Sequence, residues 1–421
     1  MTGRVILFGA TGYTGRQAVR YLLQLPASER GRVAIAGRSR AKLEALRENA
    51  SGTDALKIVI ADSSDHVSVS NMIARTRVLL NLAGPYSSYG RGCFETCIEQ
   101  QTDYVDLSGE SYWIREMIDA YHDQASERGI KIISVCGYEA LPFDIGTLLA
   151  VRTLQERYDK PCKEAEAVIR FSIADPAINR DRALSSGTVA SARLTIASGS
   201  IRSLTDPHFL DPVLLPEADL ETTPGYRLES YFDQSRGAWM APMFPGYFLN
   251  PPVIHRSCAL LAQQNQGYGP NFHYRESVDV SGMTKNAFAQ RLVAWVLSMA
   301  PRHMLKQMKS GSTLRGLLTK VMLRGSSNTG EGPREDLLDK FQYRIDIVAR
   351  SADSERVRIR VTGLGNPGYR STANMVVEAA LALAHDKPRL PNIHGFVTPA
   401  TGLGLEVIER MKRAGLTFEL V

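Results

Sequence analysis

Arg4-Val-Ile-Leu-Phe-Gly-Ala-Thr-Gly-Tyr-Thr-Gly-Arg-Gln-Ala-Val-Arg-Tyr-Leu-Leu23 is the stretch that decides the fold of this chain. Its unbroken apolar run, residues 5–8, predicts a strand buried on both faces. Glycines at a spacing of three follow, and then apolar residues at helical spacing, which together predict a tight turn and a helix. A side chain at Gly9 or Gly12 would hold a pyrophosphate away from the N–H groups at the helix N-terminus, while Gly15 lets helix and strand pack closely.

The second predicted strand indicates which cofactor such a turn would bind. Residues 31–37 run into Arg38-Ser39-Arg40-Ala41-Lys42. A site for NAD would have an acidic residue here, whereas an arginine beside a hydroxyl and further cations suits the 2′-phosphate of NADP. The alternative is a glycine turn with solvated basic residues in another βαβ unit. The residues predicted to contact NADP(H) are Gly9, Thr11, Gly12, Tyr13, Thr14, Gly15, Arg38, Ser39, Lys42, Asp62, Ala83 and Gly84.

Two of these predictions depend on strand ends further along the chain. Asp62 ends the third predicted strand, where it could contact the adenine or cap the next helix. Ala83 and Gly84 end the fourth, which lies next to the first strand in a doubly wound sheet and so should face the nicotinamide ribose.

The order of the patterns predicts an α/β fold. Short apolar strands alternate with helices through residues 1–140, which is typical of a Rossmann domain with a doubly wound parallel sheet. Residues 141–361 contain longer alternating patterns, typical of half-exposed antiparallel strands, and predict an inserted mixed α/β domain that contacts the substrate. Residues 362–421 are expected to pack back on the first domain.

Composition narrows the class of protein. The chain of 421 residues is long for one core. Five cysteines without paired spacing indicate a reducing compartment. We expect no secretory presequence and no membrane span, hence a cytoplasmic location. The net charge of +6 is mild and no recognition fold is apparent, so we expect no nucleic acid partner.

The charge is concentrated in residues 280–330, which contain eight Lys or Arg and no Asp or Glu. Apolar residues recur among these cations at helical spacing: Phe288, Leu292, Trp295, Val296, Met299, Leu305 and Met308. Such a helix could lie peripherally on a membrane, dock an acidic acyl carrier protein or line a long acyl chain. The remaining alternative is an apolar core helix with a solvated basic face.

Further motifs resemble those of a known family. They are Asn81-Leu-Ala-Gly-Pro-Tyr86, Tyr104-Val-Asp-Leu-Ser-Gly-Glu110, Gly137-Tyr-Glu-Ala-Leu-Pro142, Gly330-Glu-Gly-Pro333 and Gly395-Phe-Val-Thr-Pro-Ala400. With the glycine turn, they resemble the saccharopine dehydrogenase-like oxidoreductases, in the branch that includes trans-acting enoyl reductases. The resemblance implies a Rossmann domain closed by C-terminal elements, an inserted mixed-sheet domain and NADP-linked redox chemistry, without saccharopine as the substrate. The family often has Asp and Ser where this chain has Glu139 and Ala140.

Reduction of a double bond needs a group that stabilises the developing anion and a group that donates a proton. Tyr86 follows a strand end at the predicted nicotinamide position and could do both, or could simply pack the turn. Tyr138 and Glu139 lie on the turn between the predicted domains and are the other catalytic candidates, with helix capping as the alternative for the carboxylate. The eight histidines form no spaced cluster, so no metal site is predicted.

Three functions are compatible with these observations. The first is an NADPH-dependent reductase of a hydrophobic, lipid-linked acyl substrate, with a carrier-bound or free enoyl thioester as the first choice. The second is a non-catalytic NADP-binding protein associated with lipid or membrane. The third is an amino-acid dehydrogenase of the saccharopine type, which would need cations such as Arg170, Arg180 and Arg182 in its pocket. A homodimer is compatible with each.

Overall fold

The computed structural model describes residues 5–48, 56–173, 185–212, 228–243, 245–310 and 331–421. The strands in these ranges are β1 (Val5–Phe8), β2 (Val33–Gly37), β3 (Lys57–Ile60), β4 (Val78–Asn81), β5 (Asp103–Asp106), β6 (Lys131–Ile133), β7 (Cys162–Ile173), β8 (Tyr231–Asp233), β9 (Ala238–Ala241), β10 (His273–Asp279), β11 (Phe341–Ser351), β12 (Arg356–Leu364), β13 (Gly395–Val397) and β14 (Leu416–Leu420). The α-helices are α1 (Tyr13–Gln24), α2 (Ala27–Arg30), α3 (Arg40–Glu48), α4 (His66–Ile73), α5 (Tyr86–Tyr89), α6 (Arg91–Glu99), α7 (Ser111–Glu127), α8 (Leu141–Tyr158), α9 (Ser186–Ser198), α10 (Asn250–Ala262), α11 (Ala287–Ser310), α12 (Thr372–His385), α13 (Pro399–Leu403) and α14 (Ile408–Arg413).

The first sheet has the strand order β13-β6-β5-β4-β1-β2-β3, and its neighbouring strands are parallel. Every residue of β1, β2, β4 and β5 is buried, and the apolar runs of β1, β2 and β4 are typical of a sheet covered on both faces. The predicted doubly wound Rossmann sheet is confirmed. The strands β2 and β3 lie on one side of β1, and β4 and the strands after it lie on the other, so the strand order reverses between β1 and β4. Ligands bind such sheets at the carboxyl ends of the strands where the order reverses.

The second sheet has the strand order β14-β12-β11-β7-β10-β9-β8. It was expected to be antiparallel, and all its described pairs are, except that β10 runs parallel to β7. The reason is the long connection between these two strands, which includes α9 and α10 and brings the chain back to the same end of the sheet. Helix α8 follows β6 and packs on β11 and β12, so it leads directly from one sheet to the other.

The C-terminal elements divide between the two sheets. Helix α12 packs on α1, β4 and β5, and β13 extends the parallel sheet beside β6. Strand β14, however, pairs with β12 at the edge of the second sheet, although residues 362–421 were expected to pack on the first domain. The sequence of this strand gives only a weak pattern, because the strand has five residues and Leu416 is the one that is buried. The end of the chain therefore ties the two sheets together.

Candidate functional site

The glycine turn between β1 and α1 has the geometry of a phosphate-binding loop. Gly9 has φ +83°, and a Cβ there would lie 2.7 Å from the main-chain nitrogen of Ala83. A Cβ at Gly15 would lie 2.2 Å from the carbonyl oxygen of Gly9, so this glycine is required for close packing, as predicted. Gly9 also makes room for the end of β4, a role that was not predicted, and its contact with a cofactor stays a prediction.

The N-terminus of α1 has no side-chain cap in the described part of the chain and suits an anion. Gly12 precedes the helix, no described side chain caps it, and the first turn has no acidic residue. The first N–H groups of a helix have no partner within it and attract negative charge. The turn therefore fits the pyrophosphate of a dinucleotide. Thr11 and Thr14 lie half-buried beside it, and their contact with a cofactor stays a prediction.

Tyr13 is the residue of this turn whose side chain departs from the prediction. Its hydroxyl donates a hydrogen bond to the carbonyl oxygen of Pro333 at 2.5 Å, and its ring lies edge-on to Tyr369 with the centroids 5.0 Å apart. Burial raises the pKa of the phenol. The side chain thus fastens the turn to the segments before β11 and after β12, and only its main-chain N–H belongs to the helix end that would face a phosphate.

The basic residues at the end of β2 are accessible. Arg38 and Lys42 are exposed, and the Arg38 guanidinium has no hydrogen-bond partner within the described ranges. The Ser39 hydroxyl accepts a hydrogen bond from the Lys42 N–H at 3.4 Å, at the start of α3. A solvent-facing arginine beside a hydroxyl fits a 2′-phosphate, so the donor set suits NADP.

Asp62 lies close enough to Arg38 for that cation to help lower its pKa, although hydrogen bonds from Ser64 are the larger cause. The Asp62 carboxylate accepts from the Ser64 N–H at 3.0 Å and from the Ser64 hydroxyl at 2.8 Å. Helix α4 is capped instead by Asp65, which accepts from the Val67 N–H. The capping alternative for Asp62 is therefore wrong, and its contact with the adenine stays a prediction.

A buried chain of hydrogen bonds crosses the ends of β4 and β5. The Asn81 side chain accepts from the Ala83 N–H at 3.0 Å and donates to the Tyr104 hydroxyl at 3.0 Å. Tyr104 donates in turn to Asp106 at 2.9 Å, and burial raises the pKa of that carboxyl to about 7. These hydrogen bonds fix the backbone at Ala83, next to Gly84, in the segment predicted to face the nicotinamide ribose.

Tyr86 belongs to the same network. Its hydroxyl donates to the carbonyl oxygen of Asn81 at 3.1 Å and accepts from the Leu107 N–H at 3.2 Å. Burial, followed by the nearby Asp106, raises the pKa of the phenol well above its ordinary value. Because both hydrogen-bonding directions of the hydroxyl are used by the main chain, the geometry favours the alternative in which Tyr86 packs the turn.

Glu110 holds the turn from the next strand end. Its carboxylate is fully buried and accepts from the N–H groups of Tyr86 at 2.8 Å and Ser87 at 3.0 Å. It also accepts from the Ser191 hydroxyl at 2.8 Å, which brings α9 over the turn. From the sequence, Glu110 could act in catalysis or cap a helix, because it lies at a strand end within one of the quoted motifs.

The turn after β6 contains the other two catalytic candidates. Tyr138 is buried, and its hydroxyl has no hydrogen-bond partner in the described part of the chain. Glu139 is half-buried, and desolvation raises the pKa of its carboxyl to about 7. Tyr343 packs edge-on to Tyr138, with the centroids 5.0 Å apart, so the second sheet forms the opposite wall.

Glu276 on β10 completes this cluster, and the sequence did not identify it. One of its carboxylate oxygens accepts from the Asn250 amide at 2.9 Å and from the Tyr274 hydroxyl at 3.1 Å, while the other has no partner among the described residues. Burial raises the pKa of Glu276 to about 8, and the nearby Glu139 also raises it. One signal in the sequence could have identified it. Glu276 lies two residues after Tyr274, and residues two apart in a strand lie on the same face of the sheet.

Cluster residues Tyr138, Glu139 and Glu276 therefore combine a phenol with two carboxyl groups whose pKa values lie near neutrality. Such groups can donate a proton or a hydrogen bond at physiological pH.

Within the described ranges, no group of three or more His, Cys, Asp or Glu side chains could hold a metal ion. None of the described helices has the length and apolar character that a membrane span needs.

Comparison with known proteins relates the site to established families. Residues 5–133 match the family described as the saccharopine dehydrogenase NADP-binding domain. A Mycobacterium tuberculosis protein provisionally named a trans-acting enoyl reductase is 30% identical over 436 aligned residues, which cover 99% of this chain and 96% of the relative. The trans-acting enoyl reductase of Mycobacterium leprae is 29% identical over 434 residues, with 98% and 96% covered.

A solved structure shows the same fold over the whole chain. Apo saccharopine dehydrogenase (L-Glu forming) from Saccharomyces cerevisiae aligns with 100% of both chains at a TM-score of 0.51 and 16% sequence identity. At this identity the likeness concerns the fold alone. It supports the arrangement of a Rossmann sheet with a second, mixed sheet.

Proposed function

The chain belongs to the saccharopine dehydrogenase-like oxidoreductases, in the branch of the trans-acting enoyl reductases, and from this premise we propose that it uses NADPH to reduce the carbon–carbon double bond of an enoyl thioester. The observation that supports this most is the cluster of Tyr138, Glu139 and Glu276, which has unpartnered polar atoms and a raised carboxyl pKa. Tyr138 and Glu139 follow β6, a strand of the sheet that carries the glycine turn.

The residues that would hold the cofactor are those of the glycine turn and the end of β2. The N–H groups at the start of α1 suit the pyrophosphate, and Arg38 with Ser39 suits the 2′-phosphate. The main chain of Ala83 and Gly84, fixed by Asn81, suits the nicotinamide ribose. Bound NADPH supplies a hydride for the β-carbon of the substrate.

Tyr138 and Glu139 have complementary roles in this proposal. The phenol of Tyr138 stays protonated, because burial and the neighbouring Glu139 raise its pKa, and so it can donate a hydrogen bond to the thioester carbonyl oxygen as an enolate develops. Protonated Glu139 donates its proton to the α-carbon, and its pKa of about 7 keeps the acid form populated at neutral pH. Glu276, oriented by Asn250, lies close enough for Glu139 to help raise its pKa, so it too stays largely protonated at neutral pH.

The charge of the cluster argues against an amino-acid dehydrogenase of the saccharopine type. The carboxylates of such a substrate need cations, and Tyr138, Glu139 and Glu276 supply none, because each is neutral or negatively charged. Arg170, one of the cations considered for such a substrate, lies 3.8 Å from Asp279 in an ion pair. Arg180 and Arg182 lie outside the described residues.

In this proposal the acyl substrate is hydrophobic and bound to a carrier, as the term trans-acting in the relatives' names suggests. Contact with a membrane and assembly into a homodimer are separate proposals, because hydride transfer needs neither. A non-catalytic NADP-binding protein would have no need for an unpartnered phenol and carboxyl in the same cluster, since each costs free energy when buried.

The test is a turnover assay of the purified chain with trans-2-enoyl thioesters of coenzyme A of increasing chain length. We expect oxidation of NADPH, formation of the saturated thioester and much less oxidation of NADH. Arg38→Ala should weaken NADPH binding by about tenfold and leave NADH binding unchanged, because the variant loses a charge-assisted bond to the 2′-phosphate. Arg75→Ala, an exposed arginine of the same domain, is the matched control.

Two outcomes would contradict the proposal. NADPH binding without reduction of any enoyl thioester would favour the non-catalytic alternative. Reduction of NADP⁺ with dicarboxylic amino acids as substrates would favour the saccharopine-type dehydrogenase.

A further inference from the structure

Helix α11 is oriented with its small and polar side chains inward. Gln290, Ala294 and Ser298 are buried, and Ala294 packs on Ala241 of β9 and on Val280. Val293 and Leu297 are partly buried at the edges of this contact. A helix that served only to cover the sheet would turn its largest apolar side chains toward it.

The large apolar side chains of α11 point outward instead. The exposed fraction is 78% for Phe288, 51% for Leu292, 51% for Trp295, 52% for Val296 and 45% for Met299. These positions follow the helical repeat and form one band about 16 Å long, since an α-helix rises about 1.5 Å per residue. The alternative of an apolar core helix with a solvated basic face is therefore wrong for this segment.

We call this band the outward face of α11 (Phe288, Leu292, Trp295, Val296 and Met299). Cations precede it, lie within its range and follow it in the sequence. The exposed cations are Lys285, Arg291, Arg302 and Lys306. Arg291 also stacks on Trp239 of β9, 5.6 Å from the ring centroid. Arg315, Lys320 and Arg324 lie outside the described residues, as do the side chains of Met308 and Lys309.

We propose that the outward face of α11 binds the surface of an anionic lipid bilayer. Aromatic and aliphatic side chains on one helix face enter the boundary between headgroups and acyl chains, while adjacent Lys and Arg contact anionic headgroups. The absence of acidic residues from the sequence of residues 280–330 gives the charge complementarity that this partner requires. An acyl-chain tunnel does not explain these side chains, because they are exposed.

The position of α11 connects this surface with the redox site. The helix packs on β9, which pairs with β10, and Glu276 of the candidate site lies on β10. When α11 binds a lipid surface, β9 and β10 of the second sheet would therefore lie near that surface. The inference does not depend on the proposed reaction, because lipid binding can be measured without a substrate.

Co-sedimentation of the full chain with vesicles tests the proposal. We expect binding to vesicles of phosphatidylcholine mixed with phosphatidylserine, and weaker binding to phosphatidylcholine alone or at high salt. Phe288→Ala and Trp295→Ala should each lower the partition coefficient by about tenfold, because each removes a large apolar side chain from the contact. Trp295 fluorescence should be quenched by brominated lipids in the wild type, and Trp295→Phe should lose that part of the quenching.

The matched controls replace exposed apolar residues elsewhere: Val67→Ala, at 67% exposure, and Leu364→Ala, at 58%. Both should bind vesicles like the wild type. The unfolding temperature of each variant reports its folding. The proposal is overturned if the α11 variants bind like the controls, if the wild type binds an acidic acyl carrier protein but no vesicle, or if it is a dimer that Phe288→Ala dissociates.

Discussion

Two turns at the carboxyl ends of the parallel strands each carry a tyrosine that the sequence offered as a catalytic group. In the turn after β4, the Tyr86 hydroxyl has a main-chain donor and a main-chain acceptor, and Glu110 binds two N–H groups of the same turn. In the turn after β6, the Tyr138 hydroxyl and one oxygen of nearby Glu276 have no partner among the described residues.

In our proposal, this difference separates residues that hold the fold from residues that would contact a substrate. A buried polar group without a partner lowers the stability, and a bound molecule that completes its hydrogen bonds is one explanation for its presence. The first turn is internally complete and fixes the predicted cofactor segment. The second turn carries Glu139, and Glu276 lies nearby on β10 of the other sheet; the pKa values of both carboxyl groups are raised.

The largest effect is expected from Glu139→Gln. Loss of a general acid should lower kcat by about 100-fold with an enoyl thioester. Wild-type kcat should be highest below pH 7 and fall above it, since the acid form is needed and the pKa of Glu139 is about 7. The variant should show no such fall. The measurement is NADPH oxidation across pH 5.5 to 9, and Glu127→Gln on α7 is the exposed control.

The stability of Glu139→Gln provides the second half of this test. The folded-state pKa of Glu139 is raised above its ordinary value of 4.5, so its ionisation lowers the wild-type stability as the pH rises toward about 7. The variant should therefore unfold at the same or a higher temperature at pH 8. A variant that kept full turnover would exclude Glu139 as the proton donor, whereas one that lost turnover together with its folded structure would assign it to the fold.

Glu110→Ala should have the opposite profile. The substitution leaves the N–H groups of Tyr86 and Ser87 and the Ser191 hydroxyl without their acceptor, which should lower the free energy of unfolding by about 2 kcal/mol. Urea unfolding measures this loss, and Glu110→Gln, which keeps one carbonyl oxygen, should recover part of it. A stability equal to the wild type's would show that the network of this turn does not hold the fold.

Local patterns explain why the Rossmann part was predictable. The strand, turn and helix around Gly9 and Gly15 are specified by residues close in sequence, and the alternation of apolar strands with helices indicates a parallel sheet. The prediction for Arg38 depends on a signal of the same kind, since Arg38 directly follows a strand whose end is expected to face the cofactor. The family resemblance rested on motifs concentrated in these same turns.

The rest depends on contacts between distant segments. Whether a tyrosine hydroxyl is satisfied cannot be known before β4 and β5 are placed side by side, which is why Tyr86 and Tyr138 looked alike. The role of Glu276 depends on Asn250, from a different element, and on the turn after β6. For α11, periodicity identified the apolar face, and only packing on β9 showed that this face is outward.

Tyr86→Phe should have the smallest effect and sharpens the comparison of the two turns. The variant keeps the ring that stacks near Trp113 and loses only a hydroxyl bonded to the main chain, so the free energy of unfolding should fall by about 1 kcal/mol. Turnover should stay within about twofold of the wild type, because the fixed segment at Ala83 is also held by Asn81. Tyr138→Phe is the matched partner, since it removes a hydroxyl without a described partner and should reduce turnover without reducing stability. If Tyr86→Phe lost turnover and Tyr138→Phe kept it, the assignments of the two tyrosines would have to be exchanged. The inference that an unsatisfied hydroxyl marks the substrate side of this sheet would then be wrong.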